Sequence, residues 1–270
     1  MSDSISDSIV KQFGKCIWTK FRRGVRDYRL IEPGDRIAVC ISGGKDSMLM
    51  AQCIARLKRN NEIPFDVEYI IMNPGYTSEN LQKILDNAKF LNIPAKVYNT
   101  KIFESAEKEQ KHPCFLCARL RRGWLYKTAQ ELGCNKIALG HHFDDVIETI
   151  LMGMLYGSQM QTMMPRLKSE NYEGVELIRP LYLVREADII AWRDFNHLEF
   201  IRCACRVTEK TGEGNSKRAE IKALIAELKK TNPAVEMNIF RSAENVNLRT
   251  LISYHNGDER HHFLDDFYSE

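Results

Sequence analysis

The chain has 270 residues, of which 44% are hydrophobic and 28% charged, with a formal net charge of +3 at pH 7. That size suits one domain with an appendage or two small domains, and the apolar content leads us to expect a soluble globular core. No apolar run reaches the roughly 20 uncharged residues of a membrane span, and the first residues, MSDSISDSIV, lack the basic-then-apolar order of a secretory signal. No membrane partner and a cytoplasmic location are therefore expected. A charge of +3 does not by itself mark a nucleic-acid binder, although Arg22, Arg23, Arg26 and Arg29 cluster early, and Arg119, Arg121 and Arg122 cluster in mid-chain.

In chain order, residues up to about Tyr28 read as a basic helix, and Glu32-Pro33-Gly34-Asp35 as a turn. Arg36–Ile41 (RIAVCI) is apolar on successive residues, as a strand covered on both faces should be. Ser42-Gly43-Gly44-Lys45-Asp46-Ser47 follows, then helical periodicity over Met48–Lys58. A second strand is expected over Asp66–Met72, a break at Asn73-Pro74-Gly75-Tyr76, and a helix capped by Ser78 running to about Leu91. Ala95–Tyr98 reads as a third strand, Leu116–Leu132 as a long helix and Lys136–Leu139 as a fourth strand. Gly140-His141-His142 then leads into a helix with Asp144 and Asp145 in its first turn. Further on, Ala219–Lys230 is an amphipathic helix, and Asn245–Tyr254 is expected to be another.

Alternating strands and helices imply an α/β fold with a parallel sheet flanked by helices, Rossmann-like, followed by a helical C-terminal extension. The expected division is an N-terminal basic helix over 1–30, a catalytic domain over 31–206 and the extension over 207–270. Ligands in such folds bind beyond the carboxyl ends of the strands, so the 42–47 and 140–145 segments should share one cleft.

Ser42–Ser47 carries the sharpest chemistry. Two glycines between a strand and a helix let backbone N–H groups turn inward around an anion. The helix N-terminus adds its dipole, and Ser42, Lys45 and Ser47 add side-chain donors. Asp46 among anion binders needs a cation, and Mg²⁺ is its natural partner, with Asp145 across the cleft as the second carboxylate. The segment is not a Walker A loop, which needs G-x-x-x-x-G-K-[ST]. His141 or His142 is a candidate nucleotide contact, the other a helix cap.

Eight cysteines in a long chain with its own core do not read as a disulfide framework. Cys16, Cys40, Cys53 and Cys134 stand alone and read as small buried hydrophobes. Cys114-Phe-Leu-Cys117 and Cys203-Ala-Cys205 are paired; the first pair alone suits zinc, a redox pair or half of an iron–sulfur site.

The Ser42–Ser47 string resembles the SGGxDS loop of the PP-loop N-type ATP pyrophosphatases (adenine nucleotide alpha hydrolase-like). Three further stretches closely resemble the tRNA 2-thiocytidine biosynthesis proteins. They are Cys114-Phe-Leu-Cys117-Ala-Arg119-Leu-Arg121-Arg122-Gly123, Ile137-Ala-Leu-Gly140-His141-His142-Phe-Asp144-Asp145 and Ile178-Arg179-Pro180-Leu181. The likeness runs in order from about Tyr28 to Arg206, some two-thirds of the chain.

The resemblance implies an enzyme that uses ATP and Mg²⁺ to adenylate O2 of a cytidine in the tRNA anticodon loop (position 32) and then replaces that oxygen with sulfur. It implies ATP contacts from Ser42, Gly43, Gly44, Lys45, Asp46, Ser47, Met72, Gly140 and His141, with Asp46 and Asp145 catalytic. It also implies a [4Fe–4S] cluster on Cys114, Cys117 and one later cysteine, tRNA contacts from Arg119, Arg121 and Arg122, and a cysteine desulfurase or other sulfur donor as partner; a homodimer is the expected assembly. The late pair departs from the family, being Cys-x-Cys instead of Cys-x-x-Cys. The preceding Phe200-Ile201-Arg202 favours Cys203 over Cys205 as the third ligand. Related tRNA uridine thiolases add zinc-binding Cys/His motifs at both ends, which this chain cannot form, having only Cys16 before Cys40 and no cysteine after Cys205. Two rivals stand beside this reading: a PP-loop ligase of the amidotransferase or lysidine type without sulfur chemistry, and a non-catalytic regulator that keeps the fold.

Overall fold

A computed structural model describes residues 2–108, 113–201 and 217–267. Strand β1 (Arg36–Ile41) is buried at every residue but Arg36, as its unbroken apolar run requires. Its side chains alternate between two cores, Ile37, Val39 and Ile41 joining one and Ala38 and Cys40 the other. Helices on both faces follow from that division.

Strands β2 (Asp66–Asn73), β3 (Lys96–Asn99), β4 (Lys136–Ala138), β5 (Arg166–Lys168) and β6 (Glu176–Ile178) complete one sheet in the order β3-β2-β1-β4-β6-β5. Four of its pairings are parallel, with Val39 opposite both Tyr69 and Ala138, and β5 lies antiparallel on β6 at the edge. The parallel sheet expected from the sequence is therefore present with one reversed edge strand. The chain leaves β1 for β2 on one side and β4 returns on the other, so a crevice opens beyond the carboxyl ends of β1 and β4. Lys136 at the start of β4 is fully buried, and its ammonium sits 2.7 Å from the Asp35 carboxylate and 3.5 Å from that of Glu32. This pair fastens β4 to the 32–35 turn, and removing either partner would leave a buried charge uncompensated, at a cost of about 3–5 kcal/mol.

On one face lie α1 (Ser2–Lys11), α2 (Thr19–Asp27), α3 (Lys45–Arg59), α4 (Ser78–Phe90) and α8 (Glu186–Phe195), whose Ile9, Phe21, Leu49, Ile84 and Trp192 share a core with β1. After the short α5 (Ile102–Glu107), α6 (Pro113–Glu131) covers the other face through Tyr126 and Ala129. A third core joins α7 (Phe143–Gly157) to α9 (Lys217–Thr231) and α10 (Val235–Ser242) through Phe143, Ile147, Ile221, Ile225 and Phe240. Among the described residues no helix is long and apolar enough to cross a membrane.

Three expectations are corrected. The N-terminal segment is not one helix: a π-helical turn, Gly14–Trp18, separates α1 from α2. In it the N–H groups of Ile17 and Trp18 both reach the Phe13 carbonyl, turning Ile17 and Trp18 inward. Thr77 and not Ser78 caps α4, its hydroxyl accepting the Asn80 N–H at 3.2 Å while Ser78 is already helical. Finally, Asn245–Tyr254 is not a helix. A 3₁₀ turn (Leu248–Thr250) leads into the hairpin β7 (Ser253–Asn256) and β8 (Glu259–His262), closed at Asn256-Gly257-Asp258 and followed by α11 (Phe263–Phe267). With Asn256 opposite Glu259, Gly257-Asp258 is the two-residue loop, a hairpin signal, with Gly257 at φ +64°, and the cross-strand stack of Tyr254 on His261 at 4.7 Å supports the register. Among its described residues the extension is thus two helices, a hairpin and the short α11.

Candidate active site

The loop between β1 and α3 is shaped by its glycines. Gly43 has φ +87°, and a Cβ there would stand 2.5 Å from Ile84 Cγ1 and 2.8 Å from Ile201 Cδ1. Gly44 is the N-cap of α3 and offers no side chain to cap it. The amides of the first turn therefore have no intrahelical partner and remain available to an anion. The loop is braced from within: Ser47 Oγ accepts from the Ser42 N–H (3.2 Å) and hydroxyl (3.1 Å) and donates to the Gly44 carbonyl (3.0 Å). Ser47 thus holds the loop's shape.

The second loop meets the first at Gly140, where a Cβ would stand 2.9 Å from Ser47 N and 3.1 Å from Asp46 C. Two residues later, His142 caps α7 in a reciprocal box. Its Nδ1 accepts the Asp145 N–H at 3.4 Å, and Asp145 Oδ2 accepts the His142 N–H at 3.0 Å. With Nδ1 an acceptor, neutral His142 carries its proton on Nε2, which lies 3.5 Å from Asp145 Oδ2 and 3.8 Å from Asp46 Oδ1. The two aspartates expected to share a cation thus flank one imidazole nitrogen. Asp46 Oδ1 is buried, with the Lys45 ammonium 3.1 Å away and no aligned hydrogen-bond donor among the described residues, so it fits a cation ligand. Asp145 is bonded on both oxygens, Oδ1 accepting from Arg218 Nη1 at 2.8 Å. Asp144 is structural: its Oδ2 takes the Glu186 N–H at 2.7 Å, and its Oδ1 lies 3.3 Å from Arg185.

A cavity of about 400 Å³ opens from the first loop beneath α6. Its floor is apolar (Cys40, Ile41, Ile70, Met72, Ile137, Leu139, Leu177), and its wall is the α6 run Ala118, Arg121, Arg122, Leu125, Tyr126. Ser42, Asp46, Ser47, Gly140, His141 and Asp145 close the phosphate-loop end. Of the residues expected to meet nucleotide, Met72 and His141 line this cavity, whereas Lys45 does not. Of those expected to meet tRNA, Arg121 and Arg122 line it, and Arg119 is exposed. His141 has a buried Nδ1 without a hydrogen-bond partner, and burial, with Arg179 nearby, pushes its pKa down to about 4. It is neutral at physiological pH, with a nitrogen ready for a ligand. Burial likewise pulls Arg179 down to about 10; its Nη1 donates to the Met164 carbonyl, and its Nε is buried without a partner.

Cys114 and Cys117 stand three residues apart at the start of α6. Cys117 is half-buried and adjoins the cavity-lining Ala118. Cys203 and Cys205 lie outside the described residues. Cys40, Cys53 and Cys134 are buried as expected, and Cys16 is half-buried beside Asp188. Burial pushes the Cys40 thiol up to about 12, so its place in the cavity floor is apolar. Among the described residues no three His, Cys, Asp or Glu side chains converge as a metal site.

Lys45 stands beside the cavity without lining it. Its ammonium lies 2.9 Å from Glu186 Oε1 and 3.1 Å from Asp46 Oδ1. Glu186 continues to Lys222 (3.1 Å), Lys222 to Glu148 (3.6 Å), Glu148 to Arg218 (3.6 Å) and Arg218 to Asp145 (2.8 Å). Lys45 with Lys222 holds Glu186 at about 2, against the opposing effect of burial. Burial raises Glu148 above the usual carboxylate range. Glu186, Glu148, Arg218 and Lys222 escaped the sequence reading, since acids in a helix's first turn and Lys or Arg on an amphipathic helix look like ordinary solvated charges. Only the packing of α9 on α7 brings them to the cleft.

A glycine-shaped loop on a helix N-terminus at the switch point of a parallel sheet, with a buried aspartate oxygen beside it, defines a nucleotide-binding site of the PP-loop class. The PP-loop domain family matches residues 17–209. The tRNA-cytidine(32) 2-sulfurtransferase of Geobacter sulfurreducens is 36% identical over 233 residues, covering 85% of this chain and 89% of that protein. Those of Geobacter metallireducens (37% over 234 residues, 85% and 89%) and Burkholderia multivorans (37% over 244 residues, 88% and 69%) are similarly related. The chain belongs to this PP-loop family of tRNA-cytidine(32) 2-sulfurtransferases. Its fold is also that of the U34-tRNA thiolase NcsA from Methanococcus maripaludis with its [4Fe-4S] cluster, at a TM-score of 0.66 and 22% identity, covering 84% of this chain and 77% of that one.

Proposed function

We propose that the protein is an ATP-dependent sulfurtransferase that converts the cytidine at position 32 of tRNA to 2-thiocytidine. The observation that carries this is the cavity itself: a glycine-shaped anion loop and a buried Asp46 oxygen at one end, an arginine-bearing helix along its wall, in a chain of this family. In this reading Gly43, Gly44 and the first α3 amides hold the β- and γ-phosphates, with Ser42 and Lys45 beside them. Asp46 and Asp145 hold Mg²⁺, which neutralises the leaving charge. Met72 and the apolar floor enclose adenine, and His141 offers its Nδ1 to the nucleotide. Arg121 and Arg122, with Arg119 outside, bind tRNA phosphates and bring the nucleobase to the cavity mouth.

Cytidine O2 attacks the α-phosphorus, the bond to the β-phosphate oxygen breaks, and pyrophosphate departs into the loop. Sulfur then bonds to C2, and AMP leaves with the original oxygen. The residues that would hold the iron–sulfur cluster are Cys114, Cys117 and one of Cys203 and Cys205; an all-thiolate donor set suits iron–sulfur and not magnesium. When bound, the cluster supplies an iron with an open position for exogenous sulfur. The same reading includes a catalytic domain over 31–206, a cytoplasmic location, a homodimeric assembly and delivery of sulfur by a cysteine desulfurase.

The test is mass spectrometry of tRNA nucleosides from cells with and without the gene, paired with anaerobic turnover of purified protein on unmodified tRNA with ATP, Mg²⁺ and sulfide. Loss of 2-thiocytidine in the deletion and its formation in vitro are expected. A changed uridine or lysidine in place of cytidine would redirect the reading to another PP-loop tRNA enzyme.

A further inference from the structure

The ion chain from Lys45 to Asp145 has an alternating order. Its two ends lie in the nucleotide cleft, on α3 and α7, whereas its two inner cations, Lys222 and Arg218, both come from α9 of the C-terminal extension. Arg218 is where the chain can rearrange. It bonds Asp145 Oδ1 at 2.8 Å, and the same Nη1 lies 3.6 Å from Glu148 Oε2. Glu148 is almost wholly buried, one turn further along α7, and that oxygen accepts no hydrogen bond from the described residues. A buried carboxylate oxygen left unsatisfied is unfavourable, and it waits within an ångström of bonding distance of a guanidinium now committed elsewhere. Asp145, by contrast, cannot take a divalent cation on Oδ1 while Arg218 occupies it, since two cations on one oxygen repel.

We infer that Arg218 is a positioning residue that exchanges Asp145 for Glu148 when a divalent cation enters the cleft, so that α9 carries the charge readjustment that nucleotide binding demands. The inference rests on the nucleotide reading of the cleft. In the empty site Arg218 holds Asp145 in place and neutralises it. Once the cation is bound, Arg218 is released to satisfy the Glu148 oxygen that the empty site leaves bare. Such a two-position side chain between two acceptors is a discrete element that ligand binding can bias. The pair it gives up is half-exposed, so its competition with the cation is modest, on the order of fivefold in affinity.

Equilibrium dialysis of an α,β-methylene ATP analogue against the full chain, at a series of free Mg²⁺ concentrations, tests this. Arg218→Met should lower the half-saturating Mg²⁺ about fivefold, because Asp145 is then uncontested. Glu148→Gln, which removes the charge that receives Arg218, should raise it severalfold. In the double variant Glu148→Gln should have no further effect, since Arg218 is no longer there to be received. Arg218→Met weakening analogue binding at all Mg²⁺ concentrations would make Arg218 a phosphate ligand and overturn the inference. Additive effects in the double variant would reduce Glu148 to a background charge and overturn it too. Thermal unfolding without nucleotide confirms that each variant is folded. Failure of the wild-type chain to bind the analogue at any Mg²⁺ concentration would instead overturn the nucleotide reading, and this inference with it.

Discussion

Gly140 and Ser47 approach so closely that a single added methyl on Gly140 would stand 2.9 Å from the Ser47 backbone nitrogen. The atom in the way is main chain at the first turn of α3, which no rotamer change can move. Gly140→Ala should therefore push the second loop off the phosphate loop. Overpacking of this kind costs about 1–3 kcal/mol. Calorimetric titration with the ATP analogue and Mg²⁺ should show affinity falling at least about tenfold, with a far-UV spectrum unchanged. Wild-type affinity in this variant would mean that the two loops move independently.

Asp46 carries a different expectation, because in the empty cleft its carboxylate is paired with the neighbouring Lys45 ammonium at 3.1 Å. Asp46→Asn should lower the stability without nucleotide by no more than about 1 kcal/mol, since Lys45 keeps its Glu186 partner at 2.9 Å. The wild-type protein should gain stability with Mg²⁺ and the analogue, by about 2.7 kcal/mol at a hundredfold excess over Kd, and the variant should gain none. Thiolation should be abolished. Differential scanning calorimetry with and without ligand checks the first two outcomes, and nucleoside mass spectrometry the third.

His141 gives a pH dependence. Its folded pKa is about 4, below the ordinary 6.5, so the unfolded chain binds more protons between those values. Stability from the neutral imidazole is then fully present above about pH 6.5 and is lost as pH falls towards 4, amounting to at most about 3 kcal/mol. Glu32 and Glu186, held at about 2, add their own losses only below 4.5. Urea unfolding between pH 7 and 5 should show a slope that His141→Gln flattens. An unchanged slope would place a protonated imidazole in the native state.

The paired cysteines predict an anaerobically reconstituted protein with the broad visible absorbance of a [4Fe–4S] cluster. Cys117→Ala should lose it. Cys203→Ala should lose both the absorbance and thiolation, and Cys205→Ala should keep the absorbance, because a fourth thiolate would close the iron position that sulfur needs. The reverse pattern for the last two would exchange their roles. Zinc in place of iron and sulfide would remove the cluster from the proposed reaction.

Much of this molecule was legible in the chain alone, for local reasons. RIAVCI had to be a strand covered on both faces, and two glycines before a helix had to make an anion loop. His-x-x-Asp at residues 142–145 had to begin a helix, although which histidine capped it stayed open. Local signals also misled where they competed. Thr77 and Ser78 are equally good caps, and the helical spacing of Asn245–Tyr254 yielded to the Gly257-Asp258 turn just beyond it. The strands β5 and β6 are too short to show a period, so they exist by pairing with β4 and each other.

Only the tertiary structure decided how the cleft is charged. The sequence singled out Asp46 and Asp145 but could not show that one is paired with its neighbour Lys45 and the other already hydrogen-bonded on both oxygens. That difference depends on Arg218, 73 residues beyond Asp145, which reaches it because Ile221 and Ile225 of α9 bury against Phe143 and Ile147 of α7. Apolar burial, which carries no information about charge, set the distance between the two helices, and the ion chain across the cleft follows from that distance.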